Sequence, residues 1–190
     1  MTTNQALLRP ASLNEKSPDS FDVEFGTTKG NFTVRVTRAW APLGADRFYN
    51  LVKSGYFDDT AFFRVVPNFI VQFGLSADPA VNRVWRAANF QDDPVTQSNK
   101  PGTITFATAG PNTRTTQLFI NFGNNAFLDR QGFSPFGQVT KGMEIVQKIF
   151  SGYGEKPDQG AITTQGKAYL DKNFPNLDRI QSTKILTPGS

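Results

Sequence analysis

The chain has 190 residues, the size of a single domain, and a net charge of +4 from 20 basic and 16 acidic residues. It contains no His and no Cys, which excludes catalytic triads with His, thiol nucleophiles and zinc sites built from Cys and His. Its charges are scattered, so nothing indicates a nucleic-acid-binding arm. The high content of Phe, 18 residues, favours β structure.

Neither a membrane helix nor a signal peptide is visible in the sequence. No apolar run approaches the roughly 18–20 residues that a membrane-spanning helix needs, and residues 1–20 lack a basic start followed by an apolar segment. We therefore expect no membrane association. The localisation stays open, because a secreted chain whose signal peptide had been removed would look the same as a cytoplasmic one.

The first third of the chain indicates an antiparallel hairpin followed by a helix. Residues 1–20 are polar and contain proline, which predicts an extended lead-in before a single domain over residues 21–190. Apolar and polar residues alternate in 21–25 and 32–36 around a turn, a pattern typical of a β-hairpin. Pro42 can begin a helix. One face of this helix carries Ala45, Phe48, Leu51 and Val52.

The rest of the chain predicts six further strands and one more helix. The strand segments are rich in β-branched and aromatic residues and cover residues 61–66, 69–73, 102–108, 117–122, 136–139 and 180–186. A helix is expected over residues 141–150 and a short helical turn over 167–173. Residues 76–100 and 152–160 predict loops. The whole pattern predicts a mainly β fold, a closed eight-stranded antiparallel barrel capped by two α-helices.

Residues 62–74 carry the most informative polar pattern. Arg64, Phe69 and Gln72 combine a permanent cation, a flat apolar ring and a neutral amide, which suits a site that polarises a bound group without attacking it. A two-residue turn before Phe69 would leave Arg64 and Gln72 on opposite faces. For all three side chains to meet one ligand, the turn must be wider or bulged, and Asn68 can supply this because Asn tolerates positive φ.

Adjacent carboxylates occur twice, at Asp58-Asp59 and Asp92-Asp93. A pair of acids could serve glycoside hydrolysis or bind Ca²⁺ weakly, but the spacing matches no calcium-binding loop. Both pairs lie in turn-like positions, which Asp favours. We therefore expect these acids to be solvated turn residues.

Two segments taken together resemble the cyclophilin family of peptidyl-prolyl isomerases. They are residues 62–74 and residues 107–120, with Phe127-Leu-Asp and Phe136-Gly further downstream. The resemblance covers about residues 21–150, whereas the long loop after the first segment and the C-terminal tail look like a divergent, bacterial-style branch. It implies an eight-stranded barrel with two capping helices, in agreement with the pattern above.

The resemblance also implies an activity and a site. The activity is peptidyl-prolyl cis-trans isomerisation, which rotates Xaa-Pro bonds and assists protein folding without a cofactor or a metal. The catalytic residues carried over by the motifs are Arg64, Gln72 and Phe69. The substrate-binding residues carried over are Ala107, Thr108, Gln117, Phe119, Phe127, Leu128 and Phe133. The implied partners are proline-containing peptides or unfolded polypeptides rather than nucleic acid, and nothing in the sequence demands more than a monomer.

Four positions depart from the family pattern. Phe63 and Phe133 stand where the family often has His, and Thr108 stands where Asn is usual. Phe127 stands where Trp is usual, and the indole N–H of that Trp commonly helps to hold cyclosporin. We therefore expect cyclosporin to bind weakly, while Arg64 is unaffected.

Two other interpretations stay open. A proline-peptide-binding module without turnover would retain the groove, and its simplest sign would be an altered arginine, whereas Arg64 is present. A Phe-rich barrel that binds single-stranded nucleic acid would interleave exposed aromatic residues with basic ones, whereas the aromatic residues here alternate in core-like positions. Gln117 in a predicted strand favours a site, because a buried amide must find hydrogen-bond partners.

Overall fold

A computed structural model describes residues 4–186, in which eight antiparallel strands form one sheet. The strands are β1 Ser20–Thr27, β2 Gly30–Thr37, β3 Arg64–Val66, β4 Ile70–Phe73, β5 Thr103–Phe106, β6 Leu118–Asn121, β7 Pro135–Lys141 and β8 Ile180–Leu186. Their order across the sheet is β3-β4-β6-β5-β7-β2-β1-β8. All the strands expected from the sequence are confirmed, although β3 to β6 are shorter than expected.

The helices of the described residues are α1 Pro42–Lys53, α2 Pro79–Trp85, α3 Met143–Gln147, α4 Gln159–Gln165 and α5 Lys167–Asn173. The prediction of α1 is confirmed, with proline in its first turn and its expected apolar face buried. The prediction of a helical turn at α5 is also confirmed, whereas α3 is shorter than expected. None of the helices within residues 4–186 has the length and apolar character needed to cross a membrane.

The sheet curls around an aromatic core. Phe25 on β1 and Phe73 on β4 have ring centroids only 6.0 Å apart, although β6, β5, β7 and β2 lie between these strands in the sheet. Phe48 of α1 contacts Phe25 at 6.1 Å and Phe136 at 5.1 Å between ring centroids. All four rings are fully buried. Because burying aromatic rings removes large apolar areas from water, this cluster contributes strongly to the stability of the fold.

The curled sheet is an open half-barrel, which corrects the expectation of a closed barrel. Within residues 4–186, the edge strands β3 and β8 form no ladder with each other. An isolated bridge between Ala61 and Arg179 joins the segments that precede them, and Phe62 N donates to Asp178 O at 3.0 Å. The ladder does not extend because the chain before β3 is irregular and includes Asp59 at a φ of 62°.

A three-residue turn connects β3 to β4 and fixes their register. Arg64 pairs directly with Gln72, so residues 67–69 form the loop. Asn68 has a φ of 67°, in the left-handed region that Asn tolerates better than most residues, and Phe69 N donates to the carbonyl of the last residue of β3 at 3.0 Å. The prediction of a wider turn is confirmed, and Arg64 and Gln72 consequently share a face.

Two helices overlap stretches that were expected to be loops, and the loop predictions were wrong at those helical residues but are confirmed for the rest of both stretches. Residues 76–100 contain α2, and α4 begins at the end of residues 152–160. Each helix follows an aspartate that caps it. Asp78 accepts a hydrogen bond from a first-turn N–H at 2.9 Å, and Asp158 does so at 3.3 Å. An Asp before a helical start is an N-cap signal, which the loop-like composition of both stretches obscured.

The N-terminal segment packs against the domain, unlike the extended lead-in expected for it. It contains the 3-10 turns Gln5–Leu8 and Pro10–Ser12. Leu7 is buried, and its carbonyl accepts a hydrogen bond from Trp85 Nε1 at 2.8 Å. Residues 1–3, also part of the expected lead-in, lie outside the described residues.

Asp93 is buried, which corrects the expectation that it is a solvated turn residue. Its carboxylate accepts hydrogen bonds from Leu43 N at 3.0 Å and Gly44 N at 2.9 Å, at the start of α1, where unpaired N–H groups favour an anion. It also pairs with the buried Arg114, 3.1 Å from Nη2. Burial lowers the pKa of Arg114, and Asp93 offsets part of this effect. Asp93 therefore ties α1 to the segment between β5 and β6.

Asn68→Val is expected to lower the free energy of unfolding by about 1–2 kcal/mol, because a β-branched residue is strained in the left-handed region. Asn68→Gly is the matched control, and its free energy of unfolding should fall far less, since Gly adopts positive φ freely. Urea denaturation measures both variants. Equal losses would mean that the Asn side chain, and not the backbone conformation, stabilises the turn.

Candidate active site

A cavity of about 510 Å³ lies on the outer face of the sheet. Strand pairing places Arg64 beside Gln72 and Gln72 beside Phe119, and all three side chains line this cavity. Their neighbours along the strands alternate to the other face. Those neighbours belong to the interior core and are Val65, Val71 and Ile120. The same short strands thus carry the core on one face and the cavity on the other.

A chain of hydrogen bonds orients Arg64, Gln72 and Gln117. Arg64 Nη1 donates to Gln72 Oε1 at 3.0 Å, and Gln72 Nε2 donates to Gln117 Oε1 at 2.9 Å. Because a guanidinium has only donors, the side-chain carbonyl of Gln72 must face it, and this fixes both amides. The Nε2 group of Gln117, which lines the cavity, is then left to donate to a ligand.

Three side chains surround the guanidinium of Arg64. Besides Gln72, Glu155 places its Oε2 atom 3.0 Å from both Nε and Nη2. The ring centroid of Phe69 lies 5.9 Å from Cζ, within the range of a cation–π contact. The side chain of Arg64 retains 26% of its exposure, so a ligand in the cavity can reach it.

Apolar side chains next to Arg64 form a cluster that is separate from the interior core. The members of this apolar surface are Phe69, Ile70, Ala107, Phe119, Leu128 and Phe133. Phe119 and Phe133 meet edge to face, with ring centroids 5.6 Å apart and planes at 74°. The structure therefore brings most of the sequence-predicted apolar residues together, in a form suited to bind a small apolar ring.

Phe127 lies at the rim of the apolar surface. Its side chain is 55% exposed, and its ring stacks on Phe69 with centroids 6.1 Å apart and planes at 18°. It contributes a flat apolar face but has no N–H donor, in contrast to a Trp.

The chain after β5 forms a second wall of the cavity with Ala107 and Thr108. Ala107 N donates to Gln117 O at 2.9 Å, which holds this segment against the start of β6. The hydroxyl of Thr108 is turned into its own loop, where it donates to Gly110 O. The backbone N–H and carbonyl of Thr108 make no hydrogen bond to any residue in 4–186. A ligand can therefore bind to these two backbone groups.

A close backbone approach fixes Gln72 beside Gln117. Gly74 follows β4 with a φ of 113°, and a Cβ at this position would lie 2.2 Å from Thr116 O, so only Gly fits. Thr116 Oγ1 and Tyr56 Oη both donate to Gly74 O, at 2.8 and 2.9 Å. Burial raises the pKa of the Tyr56 hydroxyl, which keeps it a donor.

A polar network fastens the loop that carries Phe133. Asp129, in the 3-10 segment Ala126–Gln131, accepts hydrogen bonds from Ser98 Oγ at 2.6 Å and from Asn99 N and Nδ2 at 2.9 and 2.7 Å. Asn99 Nδ2 also donates to Phe133 O at 3.1 Å. Burial alone would raise the pKa of Asp129, but these hydrogen bonds outweigh it and hold the pKa below its usual value.

The far wall of the cavity was missed by the sequence analysis. It is formed by α2, the residues after it and α4. Its lining residues include Asn82, Trp85, Arg86, Asn89, Gln159 and Thr163. The buried Asn82 joins α2 to the end of β4, because its side chain accepts from Ser76 N at 2.8 Å and donates to Ser76 O at 2.9 Å. The signal that could have revealed this wall is the Asp78-Pro79 helix start.

The side chains at the centre of the cavity offer a fixed cation, two amides and apolar rings. This set can hold a small apolar group and polarise an adjacent amide by hydrogen bonding. Within residues 4–186, no three acidic side chains converge in a way that would hold a metal ion.

Asp129→Asn is expected to lower the free energy of unfolding by about 2 kcal/mol at neutral pH, because a charged hydrogen-bond acceptor becomes a neutral amide. Since folding lowers the pKa of Asp129, its contribution is present above about pH 4 and is lost as the pH falls through the lower, folded value. Urea denaturation of both proteins between about pH 3 and pH 7 measures this. A difference that did not shrink in acid would contradict the assignment.

Comparison with known proteins identifies the family. The family model described as cyclophilin type peptidyl-prolyl cis-trans isomerase/CLD matches residues 21–168. A peptidyl-prolyl cis-trans isomerase of Acinetobacter baylyi is 34% identical over 132 residues, which cover 67% of this chain and 70% of the relative. Peptidyl-prolyl cis-trans isomerase A of Dickeya dadantii is 34% identical over 154 residues, which cover 76% of this chain and 81% of the relative.

Solved structures share the fold. A crystal structure of a cyclophilin type peptidyl-prolyl cis-trans isomerase from Cryptosporidium parvum has a TM-score of 0.65 at 20% identity, covering 88% of this chain and 98% of that one. A second crystal structure of that protein, in the presence of the dipeptide Ala-Pro, has a TM-score of 0.64 at 21% identity. It covers 87% of this chain and 99% of that one. The resemblance seen in the sequence is therefore confirmed, and the chain belongs to the cyclophilin-type peptidyl-prolyl cis-trans isomerase family.

Proposed function

We propose that the cavity is the active site of this isomerase and that Arg64 is its central catalytic residue. The observation that carries the proposal is the guanidinium of Arg64, held by Gln72 and Glu155 at the edge of the apolar surface. A cation that keeps its charge thus lies beside a surface for a proline ring. Residues 21–190 would form one isomerase domain, with the N-terminal segment packed against it.

The chemical problem is a rotation and not a bond cleavage. The Xaa-Pro amide resists rotation because its nitrogen lone pair is shared with the carbonyl, which gives a barrier of roughly 18–20 kcal/mol. In the twisted state the lone pair is localised on a pyramidal nitrogen. An enzyme therefore needs only to bind the twisted amide better than either planar form. Each ~1.4 kcal/mol of this preference accelerates the rotation about tenfold.

Arg64 supplies that preference by donating a hydrogen bond to the prolyl nitrogen, which accepts one only when the amide is twisted. Gln72 orients the guanidinium through its side-chain carbonyl. Gln117, whose Nε2 group is left free by the same hydrogen-bond chain, donates to a carbonyl of the bound peptide. No cofactor takes part in this step.

The apolar surface seats the proline ring, with Phe69, Phe119, Leu128 and Phe133 as its walls and Phe127 at the rim. The free backbone groups of Thr108 and the side chain of Ala107 hold the residue before proline. Exposed Xaa-Pro segments of peptides or unfolded chains are the substrates. The presence of an Ala-Pro dipeptide with the Cryptosporidium parvum cyclophilin supports this ligand class.

Arg64→Ala is expected to lower kcat/KM for isomerisation of an Ala-Pro peptide roughly 10- to 100-fold, because a hydrogen bond from a charged donor to the transition state is lost. Arg64→Lys should lower kcat/KM nearly as much, since Lys keeps the charge but lacks the planar guanidinium. Arg35→Ala is the matched control. Arg35 pairs with Asp22 at 2.9 Å on an exposed part of the sheet, outside the lining of the cavity.

Equal activity in wild type and Arg64→Ala would refute the assigned role of Arg64. A wild-type protein that binds proline peptides without accelerating their isomerisation would instead favour the non-catalytic binding module.

Phe127→Trp is expected to strengthen inhibition by cyclosporin roughly 3- to 10-fold, because the indole adds one hydrogen-bond donor at the rim. Phe127→Leu, which adds no donor, should not strengthen it. Inhibition of peptide isomerisation measures both variants. Equal inhibition of wild type and Phe127→Trp would show that the rim does not contact the drug.

A further inference from the structure

A carboxylate from the C-terminal part of the chain touches the proposed catalytic arginine. Glu155 lies in the loop between α3 and α4, 91 positions after Arg64. Its Oε2 atom accepts a hydrogen bond from Arg64 Nε at 3.0 Å and lies 3.0 Å from Nη2. The sequence patterns gave no indication of this contact, and the isomerisation steps described above assign Glu155 no role.

The backbone of this loop is joined to β3 next to Arg64. Val65 N donates a long hydrogen bond to Gly154 O at 3.4 Å, and the neighbouring residues in the two segments are Arg64 and Glu155. Tyr153 packs edge to face against two further aromatic rings, with centroids 5.0 and 5.1 Å away. An anchored backbone therefore brings Glu155 to the arginine.

The two acceptors of Arg64 lie on different edges of its guanidinium. Gln72 uses Nη1, whereas Glu155 uses the edge formed by Nε and Nη2. With Gln72 alone, the group could pivot about a single hydrogen bond, and a long arginine side chain has many rotamers available. A carboxylate on the second edge fixes the plane of the guanidinium. The remaining N–H groups then keep one direction relative to the apolar surface.

The electrostatic attraction between Glu155 and Arg64 matters less than the geometry that the contact imposes. The side chain is 62% exposed, so water and salt screen the ion pair, and exposed pairs of this kind contribute little energy. The contact therefore acts through geometry.

We infer that Glu155 is a positioning residue of the isomerase, which holds the Arg64 guanidinium in the plane from which it donates to the prolyl nitrogen. The inference rests on the proposed role of Arg64. Removing Glu155 slows the catalysed rotation but leaves peptide affinity almost unchanged, because the apolar surface that binds the proline ring is not altered.

Glu155→Ala and Glu155→Gln test this with two readouts, the rate of cis–trans exchange of a saturating Ala-Pro peptide by NMR and the peptide Kd by titration. In Glu155→Ala we expect the rate to fall roughly 3- to 10-fold and the Kd to stay within about twofold. Glu155→Gln keeps an oxygen acceptor at the same place and should lose less. In an Arg64→Ala background, Glu155→Ala should cause no further loss, because no guanidinium is left to position.

Two controls separate positioning from other effects. Glu144→Gln removes an exposed acid of α3 and controls for net charge, whereas Asp171→Ala breaks two ion pairs of α5 and controls for loosening of the C-terminal helices. Both should keep the wild-type rate.

A wild-type or faster rate in Glu155→Ala, an equal loss in Asp171→Ala, or a loss from Glu155→Ala that persists without Arg64 would each overturn the inference. An unchanged rate in Arg64→Ala alone would overturn the proposed function instead, so the two failures are distinguishable.

Discussion

The three-residue turn between β3 and β4 is the constraint on which the site depends. Because side chains alternate along a strand, a turn one residue shorter would shift the pairing and move Gln72 to the core face. Phe69, the third residue of this turn, also has roles of its own. Phe69 places its ring beside Arg64, and its carbonyl accepts hydrogen bonds from Phe122 N at 2.8 Å and Asn125 Nδ2 at 3.0 Å. One turn therefore sets both the hydrogen-bond chain and the apolar surface.

The same short strands contribute residues to the core and to the candidate site, one on each face of the sheet. The interior is filled by aromatic rings, so the cavity has to be built outside the sheet from loops, α2 and α4. Loops on an outer face need partners for their polar groups. Asp93, Asn99 and Tyr56 provide these partners, and each joins segments that are distant in sequence. A few buried polar residues, rather than additional apolar packing, hold the walls of the site in place.

The strands and the central residues of the site could be predicted from the sequence because their signals are local. Alternation of period two marks the strands, and the site residues of β3 and β4 lie in one hairpin. The features that were missed depend on distant contacts. Asp93 looks like a solvated turn residue until Arg114 is brought beside it, and Glu155 has no local sign of its contact with Arg64. The helices α2 and α4 have seven residues each, too few for periodicity to reveal, and alternation cannot show that irregular residues keep the half-barrel open.

The composition of the cavity lining has a consequence for the way turnover depends on pH. Within residues 4–186, its charged lining residues are Arg64 and Arg86. The whole chain has no histidine, the side chain whose charge ordinarily changes near neutrality. Within residues 4–186, the lining therefore contains no side chain of the type that ordinarily gains or loses a proton near neutrality. A dependence of turnover on pH in that range would have to originate outside the lining, in the peptide or in another part of the protein.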